Sequence, residues 1–401
     1  MLSVDEALAA LLAAARPVED VEQVPTIDAA GRVLAEPLAS LIDVPPMDNT
    51  SMDGYALRAA DVPAPGTRLP VTQRVPAGSV PAPLLPGSAA RIFTGAGIPP
   101  GADAVVMQEQ CVADGDAILV NHVPKSGEWV RRAGEDIRRG ATILEAGTRL
   151  SPQACGLAAS VGVARMALRR RLKVAVFFTG DELAMPGEPL KPGAIYNSNR
   201  FVLSGLVRGL GCELTDFGIV RDSLAETRSV LREAAAEHDL IVTSGGVSVG
   251  EEDHVRPAVE AEGELTLWQI AVKPGKPLAH GRVRSTRGHA DFIGLPGNPV
   301  SAFVTFLLFV RPFILKRQGV GGSAPRVLSL RADFDWPRPD RRREFLRARM
   351  NADGGLDLFP NQSSGVLTST VWGDGLIDNP AGQPIRRGDS VRFLPFAGLL
   401  G

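Results

Sequence analysis

The chain has 401 residues, of which 44% are hydrophobic and 22% are charged, and its formal net charge is -2. These values exclude a disordered or fibrous protein, and the length is too great for one hydrophobic core, so two to four domains are expected. A nearly neutral chain has no long-range attraction for polyanions, which argues against nucleic acid as a partner.

The sequence carries no sign of export, membrane insertion or a zinc site. No run approaches about 20 apolar residues, and residues 1–16 lack the basic start of a signal peptide, so we expect a cytoplasmic protein with no membrane partner. Cys111, Cys155 and Cys212 are widely separated, and the five histidines are scattered. Neither a disulfide framework nor an imidazole-ligated metal is indicated.

The first 170 residues predict one helix followed by short strands. Ser3 and Glu6 form a capping-box pattern before the apolar run 7–15, which indicates an amphipathic helix. From about residue 24 to residue 168, short β-branched runs such as 104–107 alternate with proline and glycine clusters, which is typical of strands and turns.

The segment 171–318 alternates between strands and helices. We predict strands over residues 172–178, 212–220 and 239–243, and helices over residues 199–210, 224–237, 255–262 and 299–315. Such alternation implies a doubly wound, mainly parallel sheet that is covered on both faces. After a flexible link at 319–322, the chain returns to short strands and predicts a small β-barrel or sandwich.

Acidic residues and a glycine-rich turn follow three of the predicted strands. Ligands of an open parallel sheet bind outside the carboxyl ends of its strands. The first strand runs into Thr179-Gly180-Asp181-Glu182, the second into Asp222, and the third into residues 244–250, SGGVSVG, followed by Asp253. Taken singly, these motifs are best interpreted as strand ends and helix caps. Because all three lie at one rim of the sheet, together they favour a site in which backbone N–H groups bind a pyrophosphate and the carboxylates bind Mg²⁺ beside it.

Two proline-rich turns add candidate anion ligands. Lys273 and Lys276 flank the turn KPGKP and could hold a tetrahedral oxyanion, although a solvated basic turn explains this segment by itself. LPGNPVS contains Pro296, Asn298 and Ser301. A helix that begins there and faces the same rim would attract an anion, and the alternative is a simple helix start.

Taken together, these segments resemble the MoeA family of molybdopterin molybdenumtransferases, which includes the E domain of gephyrin. The resemblance covers nearly the whole chain. It rests on seven segments in the family's order: PPMDNTSMDGYALR (45–58), RIFTGAGIPPGADAVVMQEQ (91–110), RRAGEDI (131–137), FFTGDEL (177–183), TSGGVSVGEED (243–253), KPGKP (273–277) and LPGNPVSAF (295–303).

This resemblance implies a fold class of multidomain α/β plus β. The implied domains are an elongated connecting domain (1–45 with 137–170), an inserted β-rich domain (46–136), an α/β molybdopterin-binding domain (171–320) and a C-terminal β-barrel-like domain (321–401). It also implies a homodimer whose active site lies in a cleft between domains, with the second subunit contributing. That arrangement would explain why Asp53 and Asp136 lie far in sequence from the rim.

The implied reaction inserts molybdate into adenylyl-molybdopterin and releases AMP in a Mg²⁺-dependent step, giving Mo-molybdopterin. Asp222 and Asp253 are the expected Mg²⁺ ligands, with Glu182 as a third candidate. The acids matched to catalytic positions are Asp53, Asp136, Glu182, Asp222 and Asp253. The residues matched to substrate-binding positions are Thr94, Gly180, Ser244, Gly245, Gly246, Ser248, Lys273, Lys276, Pro296, Asn298, Ser301, Arg347, Ser363 and Ser364. Whether Glu182, Asp53 and Asp136 hold metal, pterin or their own loops stays open at this point.

Three other interpretations compete with molybdate insertion. A non-catalytic scaffold would need an additional segment that binds a partner protein, and none is visible in the sequence. An enzyme that adenylylates molybdopterin would not need three additional domains. A tungstate-selective version is not separated from the molybdate version, because the two oxyanions have nearly equal size and charge. The molybdopterin adenylyltransferase and molybdoenzyme maturation proteins are the expected protein partners.

Overall fold

A computed structural model describes residues 1–246, 254–322 and 324–400. Within these residues, the three largest sheets each contain six strands. They follow one another along the chain as a β-rich region, an α/β region and a second β-rich region. This order confirms the predicted class of α/β plus β.

The first 170 residues form two helices and twelve short strands. They are α1 Val4–Ala14, β1 Val21–Pro25, β2 Leu38–Ala39, β3 Asn49–Thr50, β4 Gly54–Leu57, β5 Thr67–Val75, β6 Ala89–Ile92, β7 Ala104–Met107, β8 Cys111–Asp114, β9 Ala117–Val120, β10 Val130–Arg131, β11 Thr142–Leu144, α2 Pro152–Ser160 and β12 Arg165–Arg169. The predicted capping box is present, because the Ser3 hydroxyl accepts from Glu6 N–H and the Glu6 carboxylate accepts from Ser3 N–H.

The sheets of this region divide it into two parts. One six-stranded sheet has the order β7-β4-β6-β5-β9-β8 and lies within residues 54–120. Two-stranded pairs join the flanking segments, namely β1 with β12, β2 with β11 and β3 with β10. These pairs bring residues before and after the large sheet together, which is the topology expected when one domain is inserted into another.

The middle of the chain forms the α/β region. Its elements are β13 Lys173–Thr179, β14 Leu183–Ala184, β15 Ile195–Tyr196, α3 Ser198–Gly209, β16 Glu213–Val220, α4 Leu224–Glu237, β17 Leu240–Ser244, α5 Val255–Glu262, β18 Gly263–Gln269, β19 Val272–Lys273, β20 Pro277–Ser285, β21 Gly288–Leu295, α6 Pro299–Thr305 and α7 Arg311–Arg317. The sheet order is β16-β13-β17-β21-β20-β18. Its first four strands are parallel.

Both faces of this sheet are buried, which explains the continuous apolar run of its central strand. In β13, Val174, Val176 and Phe178 belong to one core cluster, whereas Ala175 and Phe177 belong to another. The sequence did not predict that β20 and β18 continue the sheet as antiparallel strands, with β18 at its edge. The β20–β21 connection has only two residues, and a parallel pair needs a longer crossover.

A long apolar helical segment packs on one face of the sheet. Residues Pro299–Arg317 comprise α6, a π-helical turn at Phe306–Val310 and α7. The segment has 19 residues and a mean hydropathy of 1.6, so by length and composition it could cross a membrane, contrary to the expectation from sequence. However, 78% of it is buried inside the protein, which is the property of a core helix.

The last part of the chain adds the second β-rich region. Its elements are β22 Leu328–Arg331, β23 Arg343–Met350, β24 Leu356–Leu358, α8 Thr368–Trp372, β25 Gly375–Asn379 and β26 Ser390–Pro395. The sheet order is β19-β23-β25-β26-β22, with β24 also paired to β23, so one of its six strands comes from the α/β region. The predicted flexible link is held in place, because Gly321 N–H donates to Gly147 O at 3.1 Å.

Candidate active site

A cleft of about 850 Å³ lies between the α/β sheet and the C-terminal sheet. All four parallel strands end at it, so it occupies the rim where a ligand of such a sheet is expected. Its α/β wall includes Thr179, Gly180, Glu182, Asn197, Asn199, Asp222, Ser244, Gly245, Gly246, Pro296, Gly297, Asn298 and Ser301. Its opposite wall includes Lys273, Pro274, Gly275, Lys276, Arg342, Gln362, Ser363 and Ser364.

The two described candidates for metal binding, Asp222 and Glu182, both line this cleft. Asp222 Oδ1 is buried and has no hydrogen-bond partner within the described part of the chain. No cluster of three potential metal-ligating His, Cys, Asp or Glu side chains occurs among those residues either. Two carboxylates nevertheless suffice for Mg²⁺, which keeps waters or phosphate oxygens as its other ligands. Asp253 and Ser248 lie outside the described residues.

Four of the buried polar atoms that lack a protein partner in the described chain lie at the α/β wall. In the described chain, Thr179 Oγ1, Asn197 Nδ2 and Asn199 Oδ1 are buried without a hydrogen bond, as is the Asp222 oxygen. Buried polar atoms are normally paired, so four such atoms around one cleft need an explanation. They indicate a surface whose hydrogen bonds are completed by a ligand.

The glycine turn after β17 brings backbone close to the cleft. Gly246 has φ +64°, and a Cβ built there would lie 2.6 Å from Val255 Cγ2 and 2.9 Å from Thr179 Cγ2. Any other residue would therefore clash as well as being strained. The turn keeps the narrow backbone profile that a cradle for a phosphate group requires.

The hydroxyl of Ser244, which was predicted to bind substrate, is hydrogen-bonded to other residues of the protein. Its hydroxyl accepts from Asn199 Nδ2 at 2.7 Å and donates to Pro296 O at 3.0 Å. Asn199 Nδ2 also donates to Gly297 O at 2.8 Å. Ser244 is only 3% exposed, so it shapes the cleft wall by joining three of its segments.

The predicted helix start at the cleft floor is present, although its cap differs from the expected form. Asn298 occupies the N-cap position of α6, but its side chain makes no capping hydrogen bond. Instead, Val300 N–H donates to Ser364 O at 2.9 Å. The contact ties the start of the helix to the C-terminal region, and Ser301 lies in the first turn facing the cleft.

The two lysines of the KPGKP turn have different environments. Lys273 Nζ lies 3.2 Å from Glu344 Oε1 and 3.4 Å from Asp340 Oδ2. Lys276 is exposed and forms no ion pair with the described residues. Only Lys276 therefore offers an ammonium that is not already balanced by a protein carboxylate.

Sequence reasoning missed Arg342, a cation of the cleft. Its guanidinium donates twice to the Asp340 carboxylate, both times at 2.9 Å. This hydrogen bonding, with the positive charge of Arg342, holds the pKa of Asp340 well below its usual range. In the sequence Arg342 is the middle one of three arginines, and nothing in that run distinguishes it.

Arg347 was predicted to bind substrate, but its guanidinium is held inside the protein, so its binding role stays a prediction. Its side chain is 1% exposed and does not line the cleft. The guanidinium donates to Ser369 Oγ, Phe345 O and Ser363 O. Burial lowers the pKa of Arg347 to about 10. Arg347 lies in strand β23 with its side chain turned into the protein, where it donates to the backbone carbonyl of the cleft residue Ser363.

The predicted residues of the inserted region lie apart from this cleft in the single chain. Asp53 accepts from the backbone N–H and the hydroxyl of Thr94, both at 2.7 Å, which lowers the pKa of Asp53. Asp136 is exposed, and its N–H donates to Val44 O. Among the described residues, none of these three lines the cleft. Their catalytic and binding roles stay predictions.

Comparison with known families matches almost the entire chain. Residues 2–162 match the MoeA N-terminal region (domain I and II), residues 175–316 match a "probable molybdopterin binding domain", and residues 329–396 match the MoeA C-terminal region (domain IV). The middle match contains most of the α/β wall of the cleft. Together, fold and site define the class of proteins built around a molybdopterin-binding α/β domain.

Relatives that align with nearly the whole chain identify the family within this class. The chain is 44% identical to the molybdopterin molybdenumtransferase of Haemophilus influenzae, with 100% of both chains covered. It is 36% identical to the protein of that name from a Nostoc species, over 91% of this chain and 86% of the relative. The MoeA structure from Pyrococcus horikoshii superposes with a TM-score of 0.86 at 30% identity, covering 98% and 100%. The chain belongs to the MoeA family.

Proposed function

We propose that this chain is a molybdopterin molybdenumtransferase that inserts molybdate into adenylyl-molybdopterin and releases AMP. One observation carries the proposal: a single cleft has an acidic wall with unpartnered polar atoms and faces a wall that carries lysine, arginine and serine side chains. The first wall suits a diphosphate with its cation, and the second suits a tetrahedral oxyanion. The names of the full-length relatives support the same transfer.

At the α/β wall, Asp222 and Glu182 would hold Mg²⁺, with Asp253 as a further ligand. The ion supplies positive charge to a pyrophosphate link as that bond breaks. Gly180, Gly245 and Gly246 offer backbone that can approach the phosphates closely. An oxygen nucleophile, from water or molybdate, attacks phosphorus, the bond from phosphorus to the bridging oxygen breaks, and the diphosphate separates into AMP and molybdopterin with its own terminal phosphate.

At the opposite wall, molybdate would lie near Lys276 and Ser301, with Lys273 and Arg342 behind it. Ser363 and Ser364 offer hydroxyls on the same side of the cleft. Lysine and arginine recognise tetrahedral oxyanions by charge and directed hydrogen bonds. Molybdate placed there faces the dithiolene once AMP has left, and thiolate sulfur then binds molybdenum while an oxygen of molybdate leaves as water.

The same proposal includes a cytoplasmic homodimer with the four domains given above. Thr94 and Asp136 are exposed and Asp53 is half-buried, so a second subunit could present them to this cleft. In that role they would complete the site around the pterin. The molybdopterin adenylyltransferase, which makes the substrate, and molybdoenzyme maturation proteins, which receive the product, are the proposed partners.

The test is an assay of purified protein with adenylyl-molybdopterin, Mg²⁺ and molybdate. We expect AMP release that requires Mg²⁺, and Mo-molybdopterin formation that requires molybdate. A parallel reaction with ATP and molybdopterin should release no pyrophosphate. Pyrophosphate release without AMP formation would instead identify an adenylyltransferase, and inactivity in both reactions would favour a scaffold. Replacing molybdate with tungstate measures oxyanion preference.

A further inference from the structure

A strand pair places a buried acid directly opposite a lysine of the cleft. Strand β19 leaves the α/β region and pairs in parallel with β23, with Val272 opposite Arg343 and Lys273 opposite Glu344. Directly paired residues of two strands project to the same face of a sheet. Lys273 Nζ accordingly reaches Glu344 Oε1 at 3.2 Å.

Glu344 is itself fixed by the interior of the C-terminal sheet. It is 0% exposed, and its other oxygen accepts from Trp336 Nε1 at 2.9 Å and from Asn379 Nδ2 at 3.4 Å. A buried carboxylate with directed donors on both oxygens has little freedom to move. The Lys273 side chain, which is 37% exposed, thus has its ammonium anchored to a rigid point.

Asp340 extends this anchor to the second cation of the wall. It lies 3.4 Å from Lys273 Nζ and also holds the Arg342 guanidinium through two hydrogen bonds. Two acids therefore fix two cations that line the cleft. Fixing a flexible side chain in advance reduces the conformational entropy that ligand binding would otherwise cost.

We propose that Glu344 is a positioning residue, which holds Lys273 in place to bind the oxyanion substrate, with Asp340 as a second anchor shared with Arg342. This inference rests on the proposed function, because it assigns the oxyanion to the wall that Lys273 lines. Glu344 acts only through Lys273 and does not touch the substrate. Its removal therefore weakens oxyanion binding and leaves binding of the adenylylated pterin unchanged.

The test compares Glu344→Gln with Asp378→Asn in the full-length protein. Asp378 is a matched control, since it is 4% exposed, belongs to the same sheet and pairs with Arg343 at 2.6 Å away from the cleft. The molybdate concentration that gives half-saturation is measured in the activity assay and by equilibrium dialysis. We expect Glu344→Gln to raise it roughly tenfold, the effect of losing one charge-assisted hydrogen bond. The KM for adenylyl-molybdopterin should stay within about twofold, and Asp378→Asn should change neither value.

Lys273→Met and the double variant show whether the effect passes through Lys273. If it does, Glu344→Gln has no further effect in the Lys273→Met background. Additive effects, tighter molybdate binding or equal effects on both substrates would overturn the inference. If Lys273→Met alone leaves molybdate half-saturation unchanged, the oxyanion assignment of the proposed function fails with it. Should Glu344→Gln not fold, Asp340→Asn, at a side chain 20% exposed, is measured with the same expectation of weaker molybdate binding.

Discussion

The two walls of the cleft differ in how far the protein satisfies its own polar groups. On the α/β wall, Thr179, Asn197, Asn199 and Asp222 each have a buried polar atom without a partner in the described chain. On the opposite wall, by contrast, Lys273 and Arg342 are both paired with carboxylates. One wall thus leaves hydrogen-bonding capacity for a ligand, and the other has already fixed Lys273 and Arg342, whereas Lys276 forms no ion pair with the described residues.

This difference predicts different consequences of substitution. Unsatisfied buried polar groups destabilise the free protein, so a ligand that completes them binds with that energy in its favour. Paired cations are already in position and discriminate by charge and shape. We therefore expect changes on the α/β wall to affect the chemical step, and changes on the opposite wall to affect mainly oxyanion affinity.

The largest expected effect comes from Asp222→Ala. Removing a carboxylate that holds the cation against the diphosphate should lower the rate of Mg²⁺-dependent AMP release at least about a hundredfold. Asp181→Asn is the matched control, because Asp181 is an exposed acid of the same rim that does not line the cleft. Circular dichroism checks that both variants fold. An Asp222→Ala protein with full activity would remove the metal assignment.

A smaller effect is expected for Lys276→Ala on the opposite wall. Lys276 is the exposed lysine of the turn, so its loss should raise half-saturation by molybdate about tenfold, as expected for one charge-assisted contact. The KM for the adenylylated pterin should change much less. Lys191→Ala, at another exposed lysine, controls for general charge. Equal shifts for both substrates would mean that the two walls do not divide the ligands as proposed.

Much of the α/β wall could be predicted from the sequence, because strand ends converge by topology. The predicted strand 172–178 and helix 224–237 correspond to Lys173–Thr179 and Leu224–Glu237 in the structure. Apolar periodicity located these elements, and the parallel order then brought Gly180, Asp222 and Ser244 to one cleft. No side-chain detail was needed for that step.

The opposite wall of the cleft could not be predicted in the same way. Arg342 immediately precedes β23 and Arg347 lies within it. Which of the two faces the cleft depends on the register of that strand, because alternate residues of a strand point to opposite faces. That register is fixed by the pairing of β19 with β23, which joins residues about 70 positions apart, as the partners Lys273 and Glu344 show. A single sequence contains no local signal for such a pairing.

An effect on stability is expected for Ser244→Ala. Its hydroxyl joins Asn199 to Pro296, so its loss should lower the free energy of unfolding by about 1–2 kcal/mol. The control is Ser204→Ala, because the Ser204 hydroxyl is also buried but has no partner in the described chain, so this change should be neutral or stabilising. Urea titrations of the two proteins measure the difference. Equal losses would show that the hydrogen bonds of Ser244 contribute nothing measurable to the α/β wall.

The smallest expected effect concerns His280, which belongs to strand β20 and does not line the cleft. Its ring lies 5.6 Å from that of Trp268 and 6.0 Å from that of Phe313, and burial lowers the pKa of His280 to about 4.

Because the unfolded chain has a histidine pKa near 6.5, it binds more protons than the folded chain between about pH 4 and pH 6.5. The contribution of His280 to stability is therefore complete above pH 6.5 and declines as the pH falls. Between pH 7 and pH 5.5 the decline should be on the order of 1 kcal/mol, and His280→Phe should remove it. His289→Gln, at an exposed histidine, should keep it. Since His280 does not line the cleft, the molybdate concentration at half-saturation at pH 7 should be the same in all three proteins. A shift in His280→Phe would show that the packing around this ring controls the cleft.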